Sequence, residues 1–169
     1  MLARLAMHRY ALRVALAALI LALLAYGLLA HASNRRQLAP ALPTHTLSGQ
    51  PTTLSELRGH AAVGVFWASW CPGCKAEASA VERFARSPAG RGRVVAIDYS
   101  DGGNGWRGFL RQYAWTFPVL ADPDGVTGDA FRIHFLPTTV FLDPEGRIAA
   151  TAAGAQSVAS LTRGLTAAA

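Results

Sequence analysis

Both cysteines of this chain fall in one hexapeptide, Trp70-Cys71-Pro72-Gly73-Cys74-Lys75. A β-type run, Ala62-Val63-Gly64-Val65-Phe66-Trp67, precedes it, and a helix-type run, Lys75-Ala76-Glu77-Ala78, follows. A strand therefore delivers the first sulfur to a helix N-terminus, where the macrodipole and the free backbone N–H groups favour a thiolate. Pro72 suits the first helical turn, because its missing N–H has no partner there in any case. Cys71 is expected to be an exposed, activated nucleophile. Cys74 lies three residues on, along the same side of the helix, and can close a disulfide with it. A structural zinc site usually needs four Cys and His ligands. The five histidines (His8, His31, His45, His60 and His134) form no ligand-spaced cluster, so no metal is expected. A purely structural disulfide normally bridges a longer loop, which constrains the unfolded chain more. Thiol–disulfide chemistry is the reading that remains, and C-x-x-C beside a βαβ pattern is itself a redox signal.

The N-terminal region is of a different kind. Val14 to Ala30 is a run of 17 residues without a charge, mostly Leu and Ala. Arg4, Arg9 and Arg13 precede it, and Asn34, Arg35 and Arg36 follow. A signal peptide would have this basic start and an A-x-A site at Ala30-His31-Ala32. A signal core runs ~7–15 residues, however, whereas a spanning helix needs ~17–25. The length favours an uncleaved anchor, with the basic residues holding its N-terminus inside. The expected organisation is a cytoplasmic basic segment at 1–13, an anchor or signal segment at 14–32, a linker at 33–43 and one domain at 44–169.

Charge follows the same division. Five of the 16 basic side chains flank the apolar run, and the other eleven face all ten acids, a net of +1. The high isoelectric point thus reflects topology at a membrane, not a nucleic-acid surface. No basic helix or basic-aromatic stripe follows residue 37, which argues against nucleic acid as a partner. Export would place the two cysteines outside the cytosol, where disulfides persist. No flavin, haem or nucleotide motif is present, so no cofactor is expected beyond the cysteines themselves.

Past the linker, Thr44-His45-Thr46-Leu47 alternates around a Ser48-Gly49 turn, and Leu54–Gly59 reads as one helical turn closed by glycine. Strands are expected at 62–67, 93–99, 117–121, 138–142 and 147–151. Helices are expected at 72–86, 106–114, 126–131 and 155–168, the first with Ala76, Ala80, Val81 and Phe84 as its apolar positions. Asp143-Pro144-Glu145-Gly146 is a hairpin-type turn. A βαβα part followed by a hairpin and a helix implies an α/β fold, a central mixed sheet flanked by helices.

Leu136-Pro137-Thr138-Thr139 opens that hairpin. Alone, it reads as a trans proline at the first position of a strand. Joined to the cysteine motif, it gives a chain that resembles the thioredoxin superfamily, and more closely the membrane-anchored, extracytoplasmic thiol–disulfide oxidoreductases of the TlpA/ResA type. The matching stretches are Val65 to Glu77, Thr116-Phe117-Pro118-Val119-Leu120, Asp122-Pro123-Asp124-Gly125, and Leu136 to Gly146. The resemblance covers roughly residues 40–167. It implies a thioredoxin-like fold behind an N-terminal transmembrane helix, in a bacterial cell membrane, with the catalytic domain on the periplasmic side. Cys71 would attack and form the mixed disulfide, and Cys74 would resolve it. Pro137 would be a cis-proline facing the disulfide, and Leu136 would offer its backbone to an extended substrate strand. Trp70, Pro72 and Phe135 would complete the substrate surface. Glu77 matches an acid that the group carries three positions after its second cysteine. One turn from Cys74, it can take the proton of that thiol; spacing alone equally fits a solvated helix-face glutamate. The implied partners are exported proteins with disulfides or dithiols and a membrane thiol reductant, as in cytochrome c maturation.

Several positions depart from family habit. Many thioredoxins bury an acid two residues before the first tryptophan of the motif; here Val65 stands there, which puts more weight on Glu77. Arg132 and Phe135 stand where relatives often have glycine. The Pro-Gly dipeptide between the cysteines marks neither a strong reductant nor a strong oxidant, so the reducing direction rests on the resemblance. A disulfide-forming oxidant is one alternative. A Cu(I)-handling protein of the same fold, using His134, is another, although such proteins usually space their cysteines three apart. A peroxidatic cysteine would follow a P-x-x-x-T-x-x-C pattern. With Cys74 as nucleophile those places hold Trp67 and Cys71, and with Cys71 the threonine place holds Ala68.

Overall fold

The computed structural model describes residues 16–24, 26, 36–52, 54 and 57–169. The chain divides into two units, Met1–Arg36 and Gln37–Ala169. In the first, residues 16–24 and 26 are helical and exposed. Residues 1–15 and 27–35, with the basic start and the ends of the expected anchor, lie outside the described residues. Among the described residues, no helix is long and apolar enough to cross a membrane.

The second unit is built on strands β1 (Ala62–Trp67), β2 (Val94–Tyr99), β3 (Val119–Asp122), β4 (Thr138–Leu142) and β5 (Ile148–Ala153). Helices α1 (Pro72–Arg86), α2 (Gly105–Tyr113), α3 (Val126–Ala130) and α4 (Val158–Ala168) connect and cover them. The sheet order is β3-β2-β1-β4-β5. β1 runs parallel to β2, and β2 to β3, while β4 is antiparallel to β1 and β5. The sheet is therefore mixed, as the alternation of helix-type and strand-type runs implies. All six residues of β1 and the first five of β2 are buried. Central parallel strands are covered on both faces and so read as continuous apolar runs.

Side-chain parity sends the strands into two cores. Val63, Val65, Trp67, Val94 and Ala96 pack with Val81 and Phe84 of α1, Phe109 of α2, and Leu161 and Leu165 of α4. Ala62, Phe66, Val95 and Ile97 pack on the other face with Leu120, Phe131 and Ile133. The expected apolar stripe of α1 needs correction. Ala76 is exposed and Ala80 half-buried, while Cys74, Glu77, Ala78, Val81, Phe84 and Ala85 face inward. The inward face runs from Cys74 to Ala85, because α1 packs against the side chains of the sheet and against α4.

The segment before β1 is partly paired. Gln37 accepts from Ile148 and Ala39 donates to Gly146, so residues 37–39 run beside the β4–β5 turn. Thr46 bridges to Leu120, placing the 44–47 stretch along the outer edge of β3. Both contacts shield sheet edges.

α4 lies close on β4. A Cβ built on Gly164 would stand 2.2 Å from Cζ of Phe141. On an open helix face, Gly→Ala is worth about 1 kcal/mol of stability. Gly164→Ala is expected to reverse that sign and cost about 1–3 kcal/mol through overpacking. A lower urea midpoint with an unchanged slope would show it.

Candidate active site

β1 ends at Trp67, and five residues later, at Pro72, α1 begins. Cys71 is the N-cap of α1, with an extended backbone (φ −77°, ψ 118°). Its Sγ accepts the backbone N–H of Cys74 at 3.1 Å. A cap acceptor at a helix start satisfies one of the orphan donors there. The same N–H, with the positive end of a 15-residue helix, would stabilise a Cys71 thiolate once the disulfide opens. Pro72 occupies the first turn, where no N–H is missed. Cys71 and Cys74 are joined in a disulfide, with their Cα atoms 5.3 Å apart.

The expectation of an exposed Cys71 needs correction. Cys71 is 3% exposed and Cys74 1%. In the disulfide state the capping sulfur is folded over the first turn, onto the Cys74 N–H. Its surroundings are open and apolar instead: Trp70 is 59% exposed and Phe135 73%. Pro72 is also exposed.

The loop before β4 closes on this turn. The Leu136–Pro137 peptide bond is cis, not the trans form expected of an isolated X-Pro. Pro137 is buried and Leu136 half-buried. Pro137 O accepts from Gly154 N at 2.8 Å, and Thr138 Oγ1 donates to Phe135 O at 2.7 Å. A Cβ built on Gly73 would stand 2.8 Å from Cδ of Pro137. Glycine between the cysteines is thus what lets the proline loop sit against the first turn of α1. Arg132, just upstream, has φ +56°, a backbone region that glycine occupies without strain.

Glu77 lies one turn beyond Cys74 and is 2% exposed. A solvated helix-face glutamate is therefore excluded. Its Oε2 accepts the backbone N–H of Gln156 at 2.8 Å, from the turn between β5 and α4. Its Oε1 has no hydrogen-bond partner. Burial pushes the carboxyl from 4.5 up to about 7, against the lowering effect of the Gln156 bond. A carboxyl poised there exchanges its proton near neutral pH. Val65 is fully buried among apolar neighbours, so β1 brings no acid to the cysteines.

His134 is exposed. Among the described residues no group of three or more His, Cys, Asp and Glu is arranged to hold a metal.

One buried acid close to the site escapes sequence reasoning. Asp98 of β2 is 2% exposed and pairs in register with Trp67. Burial first, then the charge of Asp101 and a side-chain hydrogen bond with it, push the Asp98 carboxyl up to about 8. Its signal was a single aspartate inside the otherwise apolar run Val94-Val95-Ala96-Ile97. Behind it, Trp67 stacks with Phe109 at 4.2 Å and Trp115 at 4.9 Å between ring centroids. Trp115 is pinned by a 2.9 Å bond from Nε1 to Ala78 O.

The chain is similar to known proteins in sequence and in fold. The model of the AhpC/TSA family matches residues 36–151. The thioredoxin-like protein YneN of Bacillus subtilis is 34% identical over 115 residues, covering 66% of this chain and 67% of that protein. The thiol-disulfide oxidoreductase ResA of the same organism is 29% identical over 117 residues, 69% of this chain and 65% of ResA. Among solved structures, a secreted disulfide oxidoreductase of Mycobacterium tuberculosis superposes with a TM-score of 0.64 at 30% identity, covering 75% of this chain and 95% of that one. The AhpC/TSA match over most of the chain, with these relatives, places it in the AhpC/TSA family, as a thiol–disulfide oxidoreductase of thioredoxin-like type.

Proposed function

We propose that this oxidoreductase works outside the cytosol, held by the 14–32 segment, and reduces disulfides in exported proteins, as reductases of cytochrome c maturation do. The observation that carries the chemistry is the pairing of a capping Cys71 with a buried, proton-holding Glu77 one turn past Cys74.

In the dithiol form, the Cys71 thiolate attacks one sulfur of a substrate disulfide. A mixed disulfide forms, and the other substrate sulfur leaves as a thiolate. Glu77 takes the proton of the Cys74 thiol. The Cys74 thiolate then attacks the Cys71 sulfur, closes the Cys71–Cys74 disulfide and releases the second substrate thiolate. A membrane thiol reductant returns the pair to the dithiol. Substrate approaches across Trp70, Pro72 and Phe135, and an extended segment runs beside Leu136 and Pro137. Trp70 and Phe135 present large apolar area where a folded monomer would otherwise bury it, which suits a transient protein partner.

The test is the equilibrium potential of the Cys71–Cys74 pair, titrated in the full chain against glutathione and dithiothreitol buffers. A reductase of exported proteins is expected near or below about −270 mV, the value of thioredoxin. A value near about −120 mV would make it a disulfide-forming oxidant instead. Failure to titrate reversibly would remove the exchange mechanism altogether.

A further inference from the structure

Asp98 and Asp101 connect the sheet core to the segment that delivers Cys71. Asp98 Oδ1 is buried without a hydrogen-bond partner. Asp98 and Asp101 line the same small cavity, and the Asp101 carboxyl favours the protonated form of Asp98. Two ionised carboxylates sharing one site repel each other, and a proton held by one of them relieves that repulsion. Asp101 Oδ2 in turn accepts the backbone N–H of Ser69 at 2.8 Å. Ser69 is two residues before Cys71. It is also fixed from the other side, because a Cβ on Gly105, at the start of α2, would stand 2.2 Å from Ser69 Oγ.

The charges around this pair offer no compensation. A cavity of about 200 Å³ beside it is lined by Asp98, Asp101, Asp122, Trp106, Leu47 and Ala121 among others, with no lysine, arginine or histidine in its wall. Asp122 of β3 is already engaged, accepting from Thr127 N at 3.0 Å and Gly128 N at 2.9 Å. Arg107 of α2 lies over the Trp106 ring, 4.3 Å from its centroid, and donates to Asn104. On α1, Glu77 is held by Gln156, Glu82 by Arg86 and Thr116, and Lys75 is exposed. β1 contributes Trp67, which does not titrate.

We propose that Asp98 and Asp101 share one proton and act as a positioning pair for Cys71, anchoring the Ser69–Cys71 segment through the Ser69 N–H. The inference rests on the exchange reading of the cysteines. With the proton in place the pair carries one negative charge, and Asp101 is free to bind Ser69. Losing it sets two like charges side by side near the path to Cys71. That disfavours the Cys71 thiolate and loosens the anchor, so nucleophilic reactivity falls. The position of the Asp98 carboxyl puts this loss in the mildly alkaline range.

Two measurements on the full reduced chain test the assignment. Carboxyl carbon NMR of the unmodified protein is expected to show one aspartate of the pair titrating several pH units above the usual range. The rate of Cys71 alkylation by iodoacetamide, assigned by mass spectrometry, is expected to rise to a plateau and then fall about 3- to 10-fold as the pair loses its proton. Asp98→Asn keeps a donor for Asp101 and removes the second charge, so its profile is expected to keep the plateau. Both carboxyls titrating below about pH 5, or the same alkaline fall in Asp98→Asn, would overturn the proposal. The NMR titration decides it even if Asp98→Asn fails to fold. Reversible redox titration of Cys71–Cys74 in the same samples reports on the exchange reading separately.

Discussion

Cys74→Ser is expected to turn the protein from a catalyst into a trap. In the reduced variant Cys71 keeps its N-cap position, its helix N-terminus and the Cys74-position N–H that supports its thiolate. Attack on a substrate disulfide therefore proceeds. Resolution does not, because a hydroxyl cannot take the place of the attacking thiolate. The protein should accumulate as a mixed disulfide of roughly one substrate per chain. Escape then depends on an external thiol at millimolar concentration. That is far below the effective concentration of a partner held three residues away on the same turn, so turnover should drop on the order of 10³-fold or more. Cys71→Ser should behave differently, giving neither turnover nor a trapped adduct, since Cys74 sits inside α1 and lacks the N-cap position that supports a Cys71 thiolate. Non-reducing gels of each variant mixed with a disulfide-bonded protein separate the two. An equal yield of adducts from both would show that either sulfur can attack, and would remove the division of labour between them.

The geometry on which that expected division rests was legible in the sequence, because the elements that create it are local. A buried parallel strand reads as an apolar run, and Ala62–Trp67 is one. A proline just after a cysteine marks a helix start, and the three-residue spacing then fixes both sulfurs on one turn. The five strands and four helices of the domain were readable for the same reason, with ends displaced by a few residues. What was not legible is what depends on distant chain. The partner of Glu77 is the backbone of Gln156, 79 residues away, and no spacing rule reaches that far. The inward face of α1 was misjudged at Ala76 and Ala80, because alanine fits inside or outside and only the packing of α4 decides. Asp98 was placed on its strand yet given no part. An acid in a core strand gains meaning only from its neighbours, and Asp101 and Ser69 reach it through a loop and the end of another strand. The exposure of Cys71 was misread too. A helix N-terminus says where a sulfur sits, but not that a closed disulfide will fold it against the turn.

Glu77→Gln should separate the two chemical steps and change the pH dependence of both catalysis and stability. Glutamine keeps the size of the side chain and an oxygen for the Gln156 N–H, but it cannot take a proton. The first attack, by Cys71, should be nearly unchanged. The second, by Cys74, loses its base, and such a loss typically costs about 10²–10⁴-fold. Single-turnover measurements should show the mixed disulfide appearing at the normal rate and decaying slowly. The inflection near pH 7 in the resolving step should vanish, a change that a merely structural glutamate would not produce. Stability carries the same sign of argument. The folded state holds the Glu77 proton up to about pH 7, whereas the unfolded chain releases it near 4.5. Stability from this group is thus full below 4.5 and is lost as pH rises to about 7, by at most about 3 kcal/mol. Glu77→Gln has no such slope, so the oxidised variant should be more stable than the parent at pH 8 and similar to it at pH 4. Urea midpoints at the two pH values decide the matter. If variant and parent differ equally at both, the buried carboxyl is not holding a proton, and the base for Cys74 must be sought elsewhere.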